Sequence, residues 1–225
     1  MSRHHHYAHY AHHYFTPVNI SALKTANAHR WSVVKSIRNF SAVAKRLADA
    51  KARYQAVEKI TGVPWFFIAV VHERESSQEW NTQLGQGDPL HHVSVHVPRG
   101  RGPFATWEDG AVDALVHCDP YPARNKDWTA GPFLTMLEQY NGLGYFMHGI
   151  PSPYVWSGTD QYHSGKYVAD GVFNSHVVDE QDGCAGLLMA MMKIDPSIKI
   201  GSSGLDQALD DLTNHPPAPI MKDTK

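Results

Sequence analysis

The sequence has few cysteines, little excess charge and no long apolar run, and each shortage argues against a class of protein. Two cysteines, Cys118 and Cys184, are too few for a disulfide framework, although they could form one bridge. The formal net charge is −2 over 225 residues, whereas general binders of nucleic acid or anionic membranes usually carry a basic excess. No segment approaches the ~18 apolar residues of a membrane span. We therefore expect a globular protein without a membrane span or a nucleic-acid partner.

The N-terminus lacks the apolar core of a secretory signal and is rich in histidine instead. Residues 1–17 hold six of the 16 histidines and few aliphatic side chains, so we predict a disordered His- and Tyr-rich tail. Adventitious metal binding, or a charge that appears below pH ~6.5, is the alternative. We predict a folded domain over residues 18–213 and a C-terminal tail or linker over residues 214–225. Without a signal, the protein is expected to be cytoplasmic when made.

Apolar periodicity predicts a mainly helical protein. The apolar run WFFIAVV (65–71) predicts a central buried helix over residues 64–77, and Gly62 and Pro64 suit the break before it. Val93, Val95 and Val97 alternate with polar residues, which predicts a half-buried strand in a small hairpin after that helix. Residues 141–174 are expected to be irregular. Further helices are predicted over residues 31–60, 107–118, 132–140 and 181–193.

Two carboxylates, Glu73 and Glu75, follow the apolar run, and either could be a catalytic acid. An apolar environment raises the pKa of a carboxylic acid, as a general acid at neutral pH requires. The two residues lie about 200° apart around a helix axis, so they cannot share one face. Periodicity does not decide which of them faces a cleft, and either could instead be solvated or ion-paired at the helix end.

Three segments resemble one enzyme superfamily. IAVVHERESS (68–77) resembles the catalytic-helix motif of goose-type lysozymes and soluble lytic transglycosylases, in which an apolar helix ends in Glu-Ser. LEQYNGLGY (137–145) is similar to their Tyr-Asn-x-Gly motif, and PYVWSGTDQYHSGKYV (153–168) to the Pro-Tyr-Val segment and tyrosine that follow it. The resemblance extends to phage endolysins. It implies an α+β, mainly α-helical lysozyme-like fold, with a central catalytic helix and a small β-hairpin inserted after it.

The same resemblance implies roles for individual residues. Glu75 would be the catalytic acid, and Asp88, in the loop after the helix, the second carboxylate of an inverting hydrolase. Asp88 before a proline could equally shape a turn, and Glu75 would then act alone as acid and base. The superfamily's Gly-Leu-Met-Gln signature is missing. RGRGPFATW (99–107) instead resembles plant-type chitinases, whose register would select Glu73. The substrate-binding candidates are Ser76, Tyr140, Asn141, Tyr154 and Tyr162.

We expect a peptidoglycan hydrolase that cleaves the MurNAc–GlcNAc β-1,4 bond. It would act as a monomer, without a cofactor, on bacterial peptidoglycan after release from the cytoplasm. The alternatives are a lytic transglycosylase giving 1,6-anhydro products, a chitinase-like hydrolase using Glu73, and a non-catalytic wall-binding protein. A metal enzyme is a further rival, but HExxH and CxxC motifs are absent. Its possible ligands are His72, His91, His92, His96, His117 and Cys118. Trp80, Trp107 and Trp156 are candidates for stacking on sugar rings.

Overall fold

The computed structural model describes residues 19–201, and within them the chain is mainly helical with one small antiparallel sheet. The predicted α+β, mainly helical class is confirmed in this sense. The predicted tails, 1–17 and 214–225, lie outside the described residues, as do both ends of the predicted domain. In chain order the helices are α1 (Ile20–Val33), α2 (Ser41–Asp49), α3 (Lys51–Thr61), α4 (Trp65–Ser76), α5 (Trp107–His117), α6 (Ala130–Asn141), α7 (Gly144–Met147), α8 (Pro153–Trp156) and α9 (Cys184–Ile194), with a 3-10 turn at Pro122–Arg124.

Helix α4 forms the centre of the core, as its apolar run predicts. Its middle residues, 67–71, have no exposed surface. Gly62 follows the last residue of α3 and caps it with a positive φ of 72°, and Pro64 is the residue that precedes the first turn of α4. Helices α3, α6 and α9 contact α4, while α1 packs on α6 and α2 on α9. No helix in the described range 19–201 has the length and apolar character to cross a membrane.

The single long helix predicted over residues 31–60 is wrong. Helix α1 ends at Val33, and an extended segment separates it from α2. In that segment the Ile37 N–H donates to the Gly158 carbonyl, and the Asp160 N–H donates to the Lys35 carbonyl, each at 3.0 Å. Pairing with a distant segment therefore replaces the intrahelical bonds, and Ile37 is 69% exposed. A second, shorter break lies at Ala50, between α2 and α3.

The predicted strand at residues 93–97 is also wrong, because this segment belongs to an irregular loop between α4 and α5. Val93, Val95 and Val97 are exposed rather than half-buried. The N–H groups of Val95 and His96 donate to the Asp88 carboxylate, so a side chain occupies the donors that a neighbouring strand would need.

The sheet lies later in the chain, in the region expected to be irregular. Strand β1 (Lys166–Ala169) pairs with β2 (Val172–Asn174), with Tyr167 opposite Phe173. The hairpin therefore stands between α8 and α9 and not directly after the central helix. The predicted helices over 107–118, 132–140 and 181–193 are confirmed as α5, α6 and α9, with ends shifted by one to three residues.

Phe40, at the start of α2, is held between two glycines from distant parts of the chain. A Cβ at Gly186, in α9, would overlap the Phe40 ring, and one at Gly158 would lie 2.6 Å from its Cζ. Helix α9 can therefore approach α2 this closely because position 186 has no side chain.

Candidate active site

Glu75 lies in the last turn of α4, where the buried helix reaches the protein surface. The Tyr154 hydroxyl, from α8, donates a hydrogen bond of 2.9 Å to Glu75 Oε1. The side chain keeps some solvent access, yet burial raises the pKa of Glu75 to about 7, against the opposing effects of the Tyr154 hydrogen bond and the Arg74 charge. A carboxylic acid with this pKa is partly protonated at neutral pH and can donate a proton.

Tyr140, in the last turn of α6, also faces Glu75. Burial, and then the Glu75 charge, raise the pKa of Tyr140 well above its ordinary value. Its hydroxyl is buried and has no hydrogen-bond partner within the described residues. The structure thus brings Tyr140 and Tyr154, both predicted from the motifs, to the same carboxyl group. Asn141 follows as the last residue of α6 and is partly exposed.

Two other predicted substrate-binding residues have structural hydrogen bonds. The Ser76 hydroxyl donates to the His72 carbonyl one turn earlier, at 3.2 Å. The Tyr162 hydroxyl donates to the Gly165 carbonyl at 3.1 Å and accepts from the Asp179 N–H at 3.0 Å. Both side chains are buried. These bonds stabilise the helix end and the approach to the hairpin, and the geometry offers no sign that either hydroxyl meets a substrate.

Glu73 points away from the Glu75 side of the helix and forms an ion pair with α2. Its Oε2 lies 3.3 Å from Arg46 Nη2. Burial raises the pKa of Glu73, and the Arg46 charge opposes that rise. The structure therefore gives the two carboxylates different partners, an arginine for Glu73 and a tyrosine hydroxyl for Glu75.

Asp88 organises the loop that follows α4. Its carboxylate accepts hydrogen bonds from the Val95 N–H at 2.9 Å, the His96 N–H at 3.0 Å and the His96 imidazole Nδ1 at 2.7 Å. Burial alone would raise the pKa of Asp88, but the hydrogen bonds from His96 and Val95 outweigh it and lower the pKa. The residue is ionised, with its lone pairs directed at loop donors, which suits a turn-forming role.

An ion network beside Glu75 escaped the sequence analysis. Arg74 Nη2 lies 3.0 Å from Asp179 Oδ2, and Lys166 Nζ lies 2.7 Å from Asp179 Oδ1. The Arg74 guanidinium also lies 4.9 Å from the centre of the Tyr154 ring. The partners come from α4, α8, β1 and the segment before α9, so no local pattern links them. An arginine that directly follows the apolar turns of a buried helix was the available signal, because a buried charge requires a partner.

Within the described residues, the histidine and the tryptophans nearest to α4 have partners or positions in the core. His72 is buried, with Nδ1 3.0 Å from the Tyr54 hydroxyl and Nε2 3.0 Å from the Glu79 carbonyl. Within residues 19–201, no group of three or more His, Cys, Asp or Glu side chains is placed to hold a metal ion. Trp107 and Trp156 belong to the core, and Arg53 covers the Trp80 ring at 3.7 Å. Cys118 and Cys184 are buried free thiols.

The chain was compared with models of protein families, with curated proteins and with solved structures, and none of the three comparisons found a match. The likeness of the motifs to lysozymes and transglycosylases therefore stays a prediction.

Proposed function

We propose that this protein is a glycosidase that cleaves the MurNAc–GlcNAc β-1,4 bond of bacterial peptidoglycan, with Glu75 as the general acid. The observation that supports this most directly is the Glu75 carboxyl, which accepts a 2.9 Å hydrogen bond from Tyr154 while burial raises its pKa to about 7. The choice of peptidoglycan as substrate comes from the resemblance of the Glu-Ser and Tyr-Asn-x-Gly segments, 68–77 and 137–145.

The proposed reaction uses the proton on Glu75 first. As the bond between the anomeric carbon and the glycosidic oxygen breaks, its electron pair stays on that oxygen, which takes the proton from Glu75. The Tyr154 hydroxyl keeps its hydrogen bond to the resulting carboxylate and stabilises the new charge. An incoming hydroxyl group then attacks the anomeric carbon and gives up its proton, either to Glu75, which restores the acid directly, or, in an inverting hydrolase, to a second carboxylate.

The identity of the incoming hydroxyl separates two candidate reactions. Hydrolysis with inversion requires a second carboxylate to activate water, and Asp88 was the candidate from the sequence. The three hydrogen bonds to Asp88, and its lowered pKa, make it a weak base. This observation favours a second candidate function, a lytic transglycosylase. In that reaction the 6-hydroxyl of the same sugar attacks, Glu75 accepts its proton, and the product is a 1,6-anhydro sugar.

The test compares two variants that differ by two positions on one helix. Purified peptidoglycan is incubated with the wild type, Glu75→Gln and Glu73→Gln, and turbidity and soluble products are followed. We expect Glu75→Gln to lose at least ~10²-fold in rate, the contribution of a general acid, and Glu73→Gln to keep most of its activity. Loss confined to Glu73→Gln, together with release of sugar from chitin, would support the chitinase-like alternative and refute the proposal.

Mass spectrometry of the products separates the remaining possibilities. Fragments with reducing ends indicate hydrolysis, and fragments lighter by one water indicate transglycosylation. A wild-type protein that sediments with peptidoglycan but releases no fragments would be a wall-binding protein, and the assignment of Glu75 as an acid would be wrong.

A further inference from the structure

Arg74 stands directly before the proposed acid and is buried with its charge. Its side chain is 6% exposed and that of Asp179 is 3% exposed. The Asp179 charge raises the pKa of Arg74 although burial opposes it, so the guanidinium stays charged. A second donor nitrogen, Nη1, lies 3.3 Å from the Asp182 carbonyl. The guanidinium is thus fixed between the Tyr154 ring and the segment that precedes α9.

Asp179 is itself fixed through its backbone and its carboxylate. Its N–H donates to the Tyr162 hydroxyl at 3.0 Å, and its carbonyl accepts from the Ser157 hydroxyl at 2.6 Å. Lys166, at the start of β1, binds the second carboxylate oxygen. Burial would raise the pKa of Asp179, but Arg74 and Lys166 lower it. This carboxylate is therefore a rigid, charged anchor.

Among residues 19–201, the groups close enough to the Glu75 carboxyl to interact with its charge include Arg74 from α4 itself, Tyr140 from α6, Tyr154 from α8 and Cys184 from α9. Burial raises the pKa values of both tyrosines and of the Cys184 thiol, so these three groups are neutral at pH 7. Within this set, Arg74 carries the full charge. An arginine free to pair with Glu75 would favour the ionised carboxylate, and an ionised Glu75 cannot act as an acid.

We propose that Asp179 is a positioning residue for the general acid: by binding the Arg74 guanidinium beneath the Tyr154 ring, it prevents Arg74 from forming an ion pair with Glu75. This inference rests on the proposed function, because it explains how an acid can stay protonated one residue away from a buried cation. A buried ion pair is weak evidence for a role in stability. The placement of this one, against the aromatic ring that carries the hydrogen-bond donor to Glu75, points to a role at the site.

The experiment measures the pKa of Glu75 directly, by NMR titration of the side-chain carboxyl carbons of the full chain labelled at glutamate, with Glu75→Gln to assign the signal. In Asp179→Asn we expect the pKa of Glu75 to fall by about one pH unit or more, the effect of an opposite charge within a few ångströms. In Arg74→Gln we expect it to rise above the wild-type value. Arg74→Gln leaves Asp179 paired with Lys166, so the proposal can still be tested with this variant if Asp179→Asn does not fold.

Lys166→Met is the matched control, because it removes a partner of Asp179 but leaves Asp179 to bind Arg74. We expect no fall in the pKa of Glu75, because removing a cation favours the neutral carboxylic acid. An equal fall in Lys166→Met would mean that loosening of the hairpin is the cause, and would overturn the proposal. An unchanged or lower pKa in Arg74→Gln would overturn it as well, because Glu75 would then not sense the guanidinium.

The NMR readout separates this inference from the proposed function. The predicted pKa changes in a protein that releases nothing from peptidoglycan would support the role of Asp179 and refute the proposed enzyme activity. A wall-degrading wild type whose Glu75 pKa does not respond to Asp179→Asn would leave the enzyme proposal standing and refute the positioning role.

Discussion

Two buried acidic groups, Glu75 at the end of α4 and Asp88 in the loop that follows, have opposite ionisation behaviour. Burial acts to raise the pKa of both carboxyls, yet the pKa of Asp88 is lowered and that of Glu75 is raised to about 7. Asp88 is bound by two backbone N–H groups and an imidazole, whereas Glu75, at the end of α4, is bound by a tyrosine hydroxyl. Three hydrogen-bond donors therefore outweigh the effect of burial at Asp88, whereas the Tyr154 hydroxyl does not outweigh it at Glu75.

The largest difference between Glu75 and Asp88 is expected in the reaction rate when each carboxyl group is replaced by the corresponding amide. Replacing the proposed acid in Glu75→Gln is expected to lower the rate at least ~10²-fold, while Asp88→Asn is expected to keep nearly the wild-type rate per folded molecule. Initial rates on peptidoglycan, corrected for the folded fraction by circular dichroism, provide the measurement. An Asp88→Asn protein that folds normally but loses its activity would restore Asp88 as the base of an inverting hydrolase.

The same two substitutions should affect the stability of the fold in the opposite order, with the larger loss at Asp88. Asp88→Asn keeps one oxygen for the two N–H groups, but it removes the negative charge and places an NH₂ group opposite His96 Nδ1. We therefore expect a loss of about 2 kcal/mol in the free energy of unfolding at pH 7. The loss should shrink as the pH falls below ~4, because a carboxylate with a lowered pKa contributes its stability above its unfolded pKa and loses it in acid. Urea titrations at both pH values measure it. Asp170→Asn, in the exposed hairpin turn, is the control and should change little.

Removing the Tyr154 hydroxyl is expected to lower the rate less than replacing Glu75 itself. Tyr154→Phe removes the hydroxyl that stabilises the carboxylate, so the rate is expected to fall about 10-fold, as for a hydrogen bond to a charged group. The pKa of Glu75 should rise, because this bond lowers it. The pH dependence of the rate reports both effects, and Tyr121→Phe, beyond α5, is the control. A Tyr154→Phe variant with an unchanged rate and pH profile would mean that the bond is not used in the reaction.

A third buried carboxyl, Glu138 in α6, extends the comparison of Glu75 and Asp88 to a residue that the motifs give no role. Burial raises its pKa to about 7, although Asn27, Arg30 and Trp156 lie near enough to oppose the rise, and its Oε1 has no partner within the described residues. Because the folded pKa exceeds the unfolded one, stability is highest below the unfolded pKa and is lost as the pH rises towards 7.

Glu138→Gln cannot ionise, so we expect it to be more stable than the wild type at pH 7 by about 1 kcal/mol, and equally stable at pH 4. Thermal unfolding at the two pH values is the measurement. A variant that is less stable at pH 7 would show that ionised Glu138 has favourable partners. The kind and number of hydrogen-bond donors would then not be what distinguishes Glu75.

The sequence was sufficient for features that depend on local patterns. The apolar run before Glu75 predicted α4, and Gly62 with Pro64 predicted the break before it, because burial and backbone geometry act within a few residues. The strand at 93–97 was predicted wrongly, since Asp88 takes the N–H groups of Val95 and His96. The break after α1 was missed because it depends on pairing with residues 158–160. The Arg74–Asp179 pair joins residues 105 positions apart, and single-sequence periodicity contains no information about it.

The packing of Phe40 against Gly158 and Gly186 has a consequence for how this protein can evolve. Alanine at position 186 would overlap the ring, so it should be rejected while phenylalanine occupies position 40. A smaller residue at position 40 would vacate that space and make the same alanine acceptable. The two substitutions are therefore expected to show strong epistasis, each harmful alone and partly compensated together. Among homologues, residue size at positions 40 and 186 should covary, because the residue at one position determines which substitutions are tolerated at the other.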